Sequence, residues 1–118
     1  MDLARRYGLA AVPYYALASG FLTGKYRPGA DVDSQRAGKA GEYLKSERGQ
    51  RVLAALDAVA GERGASVASV AVAWLAAQPT VVAPLASART VEQLQPLLDA
   101  VRLDLSSEDV ARLTEASA

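Results

Sequence analysis

The chain has no cysteine and no histidine among its 118 residues. Without cysteine there is no disulfide, no thiolate metal ligand and no sulfur nucleophile, and a reducing compartment is permitted. Without histidine the most common neutral-pH general base and the most common metal ligand are missing, so the usual acid–base catalyst is excluded from anything the chain does alone. Charge imbalance is also missing: 13 basic and 13 acidic residues give a formal net charge of zero. No broad field therefore draws the chain to nucleic acid or to an anionic membrane surface. The longest wholly apolar run is Val70 to Ala77, far below the roughly 20 residues of a membrane-spanning helix.

What is present is a hydrophobic content of 51%, too high for a disordered chain, on a length suited to one domain. Near the start, Arg5 and Arg6 precede a mostly apolar stretch in which Ala16-Leu17-Ala18 imitates a secretory cleavage site. Pro13 and the pair Tyr14-Tyr15 interrupt what should be a uniform helical region. A second reading accounts for more residues: Leu3 to Tyr7 as the last turn of a helix, Gly8 as its stop, and Leu9 to Tyr14 as a short apolar strand. Continuous apolar character, without alternation, fits a parallel strand covered on both faces, with Pro13 at its end or on an edge.

From Ser19 to about Ser46 the glycines at 20, 24, 29, 38 and 41 predict a long loop. A helix follows, with Val52, Leu53, Leu56, Val59 and Ala60 on one face, Ser46 as cap and Gly61 or Gly64 at its end. Ser66 opens the next helix, carrying Val70, Ala71, Trp74 and Leu75, with Pro79 just past its end. Val81 to Leu85 reads as a second short strand. Thr90 and Gln93 have capping-box spacing and open a helix bearing Val91, Leu94, Leu97, Leu98 and Val101, in spite of Pro96 inside it. Ser106 caps a last helix, with Glu108 and Asp109 near its positive end and Val110 and Leu113 facing inward. The tally is two βα units, and two parallel strands with helices are a piece of a larger α/β fold rather than a complete sheet.

The stretch "PLASARTVEQL" from Pro84 to Leu94 has the parts of an anion site: unpaired N–H groups at a helix start, and the Arg89 guanidinium beside them. On the local motif alone the preferred reading is a plain helix cap next to a solvated arginine, since capping boxes are common. Lys25, Arg27, Arg36, Lys39, Lys45, Arg48 and Arg51 outnumber the acids around them, as a solvated loop or as a field steering an anionic cofactor. Trp74 reads as core, and Tyr14, Tyr15 and Tyr26 as packing residues or stacking partners for a ligand ring.

Two stretches, "PYYALASGFLTGKY" and "AVAWLAAQPTVVAPLASARTVEQL", together resemble the carboxy-terminal part of the aldo/keto reductase family, and "LSSEDVARLTEAS" is similar to its closing helix. The resemblance spans nearly the whole of residues 1–118. It implies an α/β fold, the carboxy-terminal part of a (β/α)8 TIM barrel comprising about the last two βα units and a final helix, helix-rich in isolation. Leu9 to Tyr14 would be the seventh strand and Val81 to Leu85 the eighth. It implies NADP(H) as cofactor and cytoplasmic reduction of aldehydes and ketones by the full-length enzyme. Leu17, Ser19, Gly20, Leu22, Gly24 and Lys25 would lie along the pyrophosphate, Ser87, Ala88 and Arg89 at the adenosine 2′-phosphate, and Gln93 near the adenine. On this reading Arg89 becomes a ligand contact.

The sequence departs from the family in three ways. Tyr15-Ala16 stands where Ser-Pro is usual, and Leu97, beside Pro96, where many members carry an adenine-reading asparagine. The family's catalytic Asp, Tyr, Lys and His lie on earlier strands, so no catalytic residue and no metal ligand is assigned to this chain. The implied partners are NADPH and a chain supplying the rest of the barrel, or self-association through exposed strand edges; nucleic acid and membrane are not among them. A helical scaffold without catalysis and a truncated reading frame without independent function remain the competing expectations.

Overall fold

A computed structural model describes residues 2–14, 16–17, 22–23 and 37–118, with backbone only for 37–40. Its helices are α1 (Asp2–Tyr7), α2 (Ala37–Lys45), α3 (Glu47–Arg63), α4 (Val67–Ala76), α5 (Val91–Arg102) and α6 (Ser107–Ser117). Their starts follow the polar side chains expected to cap them. Ser46, Ser66, Thr90 and Ser106 each accept the N–H of the residue three positions on, which removes an orphan donor from the first turn. Gly64 ends α3 at φ 62°, the left-handed conformation that costs glycine nothing.

The helix α2 corrects the expected loop from Ser19 to Ser46, of which residues 37–45 are helical. Two glycines weaken helix propensity there, but the end of α2 is tied to the start of α3. The Tyr43 carbonyl accepts from the Ser46 N–H and hydroxyl, and the Leu44 carbonyl accepts from Gln50 Nε2 at 3.0 Å. Gly49 permits this tight junction, because a Cβ there would collide with the Tyr43 carbonyl oxygen. Tertiary contact thus overrides local propensity.

The core lies where α3 meets α4 and α6. Leu56, Val59, Ala60, Val70, Ala71 and Leu113 form its buried cluster, with Val59 and Val70 fully enclosed; burial of such side chains stabilises by about 1.5–3 kcal/mol each. Trp74 packs against the cluster and donates its Nε1–H to Thr114 Oγ1 at 3.1 Å. α5, whose buried residue is Ala100, packs on α4 and is tied to it by a polar clasp in which the buried Ser69 hydroxyl donates to the Pro96 carbonyl at 2.6 Å. The opposite face of α5, with Val91, Leu94, Leu98 and Val101, is exposed.

The two expected strands come together, but as one parallel bridge, Ala11 to Val81. Ala11 N–H donates to the Thr80 carbonyl at 2.8 Å and Val82 N–H to the Ala11 carbonyl at 3.0 Å. The next two donors of a parallel ladder would be the N–H groups of residues 13 and 84. Both are proline, so the ladder stops, and the Pro13 carbonyl takes the Leu85 N–H instead. The Ala11 and Val81 side turns inward, whereas Val12, Tyr14 and Val82 on the other side are exposed.

A partly buried ion pair joins α3 to α6. Asp109 is 3% exposed; its Oδ2 accepts from Arg63 Nε at 2.7 Å and from the Ser106 N–H at 3.2 Å. Burial alone would raise its pKa, but the Ser106 N–H and the Arg63 guanidinium outweigh that and hold the carboxyl below its ordinary value of 3.8. A lowered folded-state pKa stabilises the protein above the unfolded carboxylate value, and that contribution is lost as pH falls through the folded one. Acid sensitivity is therefore expected below about pH 4. Replacing Asp109 by alanine should cost about 2–4 kcal/mol in urea denaturation at pH 7, the figure being lowered because the Arg63 side chain is 38% exposed. At pH 3 the gap between variant and wild type should narrow.

Candidate functional site

The segment from Val81 leaves the parallel bridge, runs irregularly through Pro84 to Ala88, and enters α5 at Thr90. Thr90 takes an extended conformation, and its hydroxyl accepts from Gln93 N–H at 3.2 Å. The second half of the expected capping box is displaced by one residue: Gln93 Oε1 accepts from the Arg89 N–H at 2.9 Å, not from Thr90. Among the described residues, the N–H groups of Thr90, Val91 and Glu92 have no hydrogen-bond partner in the protein, and the exposed Arg89 guanidinium has no acidic partner. An exposed arginine directly before unpaired N–H groups at the positive end of a 12-residue helix supplies the kinds of donor that hold an anion such as a phosphate.

The other candidate residues are placed as follows. Ser87 is exposed and Ala88 half-buried on the approach to Arg89. Leu17 and Leu22 are half-buried, joined by a hydrogen bond from Leu22 N–H to the Leu17 carbonyl, and packed on the core cluster. Ser19, Gly20, Gly24 and Lys25 lie outside the described residues, as do Tyr15 and Tyr26. Leu97 is half-buried and Tyr14 is exposed.

A cavity of about 420 Å³ opens elsewhere, between α3, α4 and α6, lined by Pro13, Leu22, Tyr43, Trp74 and Leu113 among others. No residue of the 84–98 segment lines it. Its polar rim residue Arg48 is engaged through Nε with the Ser117 carbonyl at 2.6 Å. The displaced Gln93 bond had no local signal, since capping-box spacing points the side chain at residue 90.

The profile of the Aldo/keto reductase family matches residues 1–118. The chain is 34% identical over 116 residues to the uncharacterized oxidoreductase YrpG of Bacillus subtilis, covering 98% of this chain and 34% of that protein. It is 30% identical over 123 residues to the L-glyceraldehyde 3-phosphate reductase of Escherichia coli O157:H7, covering 98% and 35%. It is 34% identical over 119 residues to an NADP(+) aryl-alcohol dehydrogenase of Phanerodontia chrysosporium, covering 92% and 29%. The chain thus spans about a third of the length of the curated relatives it matches. No helix among the described residues is long and apolar enough to cross a membrane.

The Thr90 cap sets the start of α5 and thereby the position of Arg89. Thr90→Ala should lower stability by about 1 kcal/mol in chemical denaturation and loosen the first turn, seen as faster amide exchange at Val91 to Gln93.

Proposed function

The chain belongs to the aldo/keto reductase family, and from that premise we propose that it is the NADP(H)-binding carboxy-terminal section of a carbonyl-reducing oxidoreductase. The observation that carries this reading is the exposed Arg89 directly before α5, whose guanidinium has no acidic partner among the described residues, followed in the chain by three N–H groups without a hydrogen-bond partner there. Those donors suit the 2′-phosphate that distinguishes NADPH from NADH. Ser87, Ala88 and Gln93 belong to the same group of residues. Leu17, Ser19, Gly20, Leu22, Gly24 and Lys25 are assigned to the pyrophosphate side by their likeness to the family alone.

When bound, NADPH supplies the hydride that reduces an aldehyde or ketone. The chain's own part is to bind and orient the dinucleotide. Hydride transfer also needs an acid placed at the developing alkoxide, and the sequence has no histidine and assigns none of its tyrosines or lysines to that task. In isolation the chain is therefore inactive, and activity depends on the rest of a (β/α)8 barrel. The exposed Val12, Tyr14 and Val82 and the N–H groups of Ala10 and Val12, unpaired in the bridge, are the surface that further strands would cover. The cytoplasm is the compartment this reading assigns.

A second reading, an assembly module without cofactor, is favoured by the exposed apolar stripe of α5, where Val101 is 86% exposed.

Titration with NADPH and NADH, followed by cofactor fluorescence, separates the two. The first reading expects saturable binding that favours NADPH, with Arg89→Ala weakening NADPH by about tenfold or more and leaving NADH within about twofold. A folded chain that binds neither dinucleotide, and whose association state is unaffected by Arg89→Ala, supports the second. Turnover of a carbonyl substrate by the isolated chain would overturn the claim of inactivity.

A further inference from the structure

We propose that Gln93 is a positioning residue: it holds the main chain of Arg89, and through it sets the preference for a 2′-phosphorylated dinucleotide, rather than contacting the adenine ring. The proposal rests on the cofactor reading given above. A glutamine side chain carries one carbonyl oxygen with two lone pairs and one NH2 donor group, and in Gln93 the oxygen accepts from the Arg89 N–H at 2.9 Å, which turns the side-chain amide toward the main chain of residue 89. The main-chain N–H of Gln93 is meanwhile committed to Thr90 Oγ1. Two bonds running in opposite directions therefore close a small ring over residues 89 to 93, with the extended Thr90 between them.

Arg89 is the residue this ring immobilises without engaging its side chain. Its N–H is used, and its guanidinium has no acidic partner among the described residues. A long, rotamer-rich arginine on a mobile backbone loses affinity through the entropy of ordering both. Fixing the backbone in advance leaves only the side chain to be ordered when a phosphate arrives. The benefit belongs to the ligand that Arg89 reads, so it is confined to NADPH. An adenine contact would help both dinucleotides alike, since the ring is common to them.

The test uses the full chain, with its fold checked by circular dichroism, titrated with NADPH and NADH as wild type, Gln93→Ala, Arg89→Ala and the double variant. Gln93→Ala should weaken NADPH roughly three- to tenfold, the scale of one ordinary hydrogen bond, and leave NADH unchanged. In the Arg89→Ala background it should add nothing, because the group it positions is gone. Amide exchange gives an independent readout: the Arg89 N–H should exchange several-fold faster in Gln93→Ala and stay protected in Gln93→Glu, which keeps the acceptor.

Equal weakening of both dinucleotides, an additive loss in the double variant, or no effect of Gln93→Ala would overturn the positioning role while leaving the cofactor reading intact. An unprotected Arg89 amide in the wild type would do the same. Absence of NADPH binding to the folded wild type would overturn the cofactor reading and this assignment together.

Discussion

A parallel ladder takes an N–H from alternate residues of each strand along the shared edge. At the two positions that should follow the Ala11–Val81 bridge, 13 and 84, the chain has proline. Pairing therefore cannot propagate past the bridge toward Tyr14 and Leu85, and the described residues hold one bridge where longer strands would be needed to carry a core. Cohesion passes to the helices, with α3 at the centre and α4 and α6 against it. The bridge keeps a different role. It fixes where the 81–85 segment starts, and so where the loop to Arg89 and the start of α5 are delivered.

The helical layer has its own polar condition. Asp109 gives up its hydration to sit between α3 and α6, and its charge is held by Arg63 and by the Ser106 N–H at the helix start. One carboxylate therefore serves as capping residue and as inter-helix clasp. Surface pairs such as Arg112 with Glu62, both partly exposed, add little beside it.

The helical architecture was largely legible in the sequence, because its signals are local. Serine or threonine caps, Gly64 past the end of α3 and the periodic apolar residues of α3 and α4 each act within a turn or two of where they stand. The helix α2 was not legible: Gly38 and Gly41 argue for a loop, and the contacts that override them come from Ser46 and Gln50 beyond its end. The Asp109–Arg63 pair spans 46 residues and leaves no periodic trace. The prolines were visible one at a time, but the consequence of having two depends on the register of Ala11 against Val81, which only the folded chain defines. At the candidate site, the capping spacing of Thr90 and Gln93 was legible and the one-residue displacement of the Gln93 acceptor was not.

The clasp between α4 and α5 has a lopsided effect on how the sequence can drift. Ser69 reaches across with its side chain, whereas the other partner is the carbonyl of residue 96, which every amino acid supplies. Substitution of Pro96 leaves the acceptor in place and returns an N–H to the helix, while substitution of Ser69 removes the donor from a position that is 1% exposed. Divergence at this contact should therefore accumulate on the α5 side, with the serine of α4 changing last.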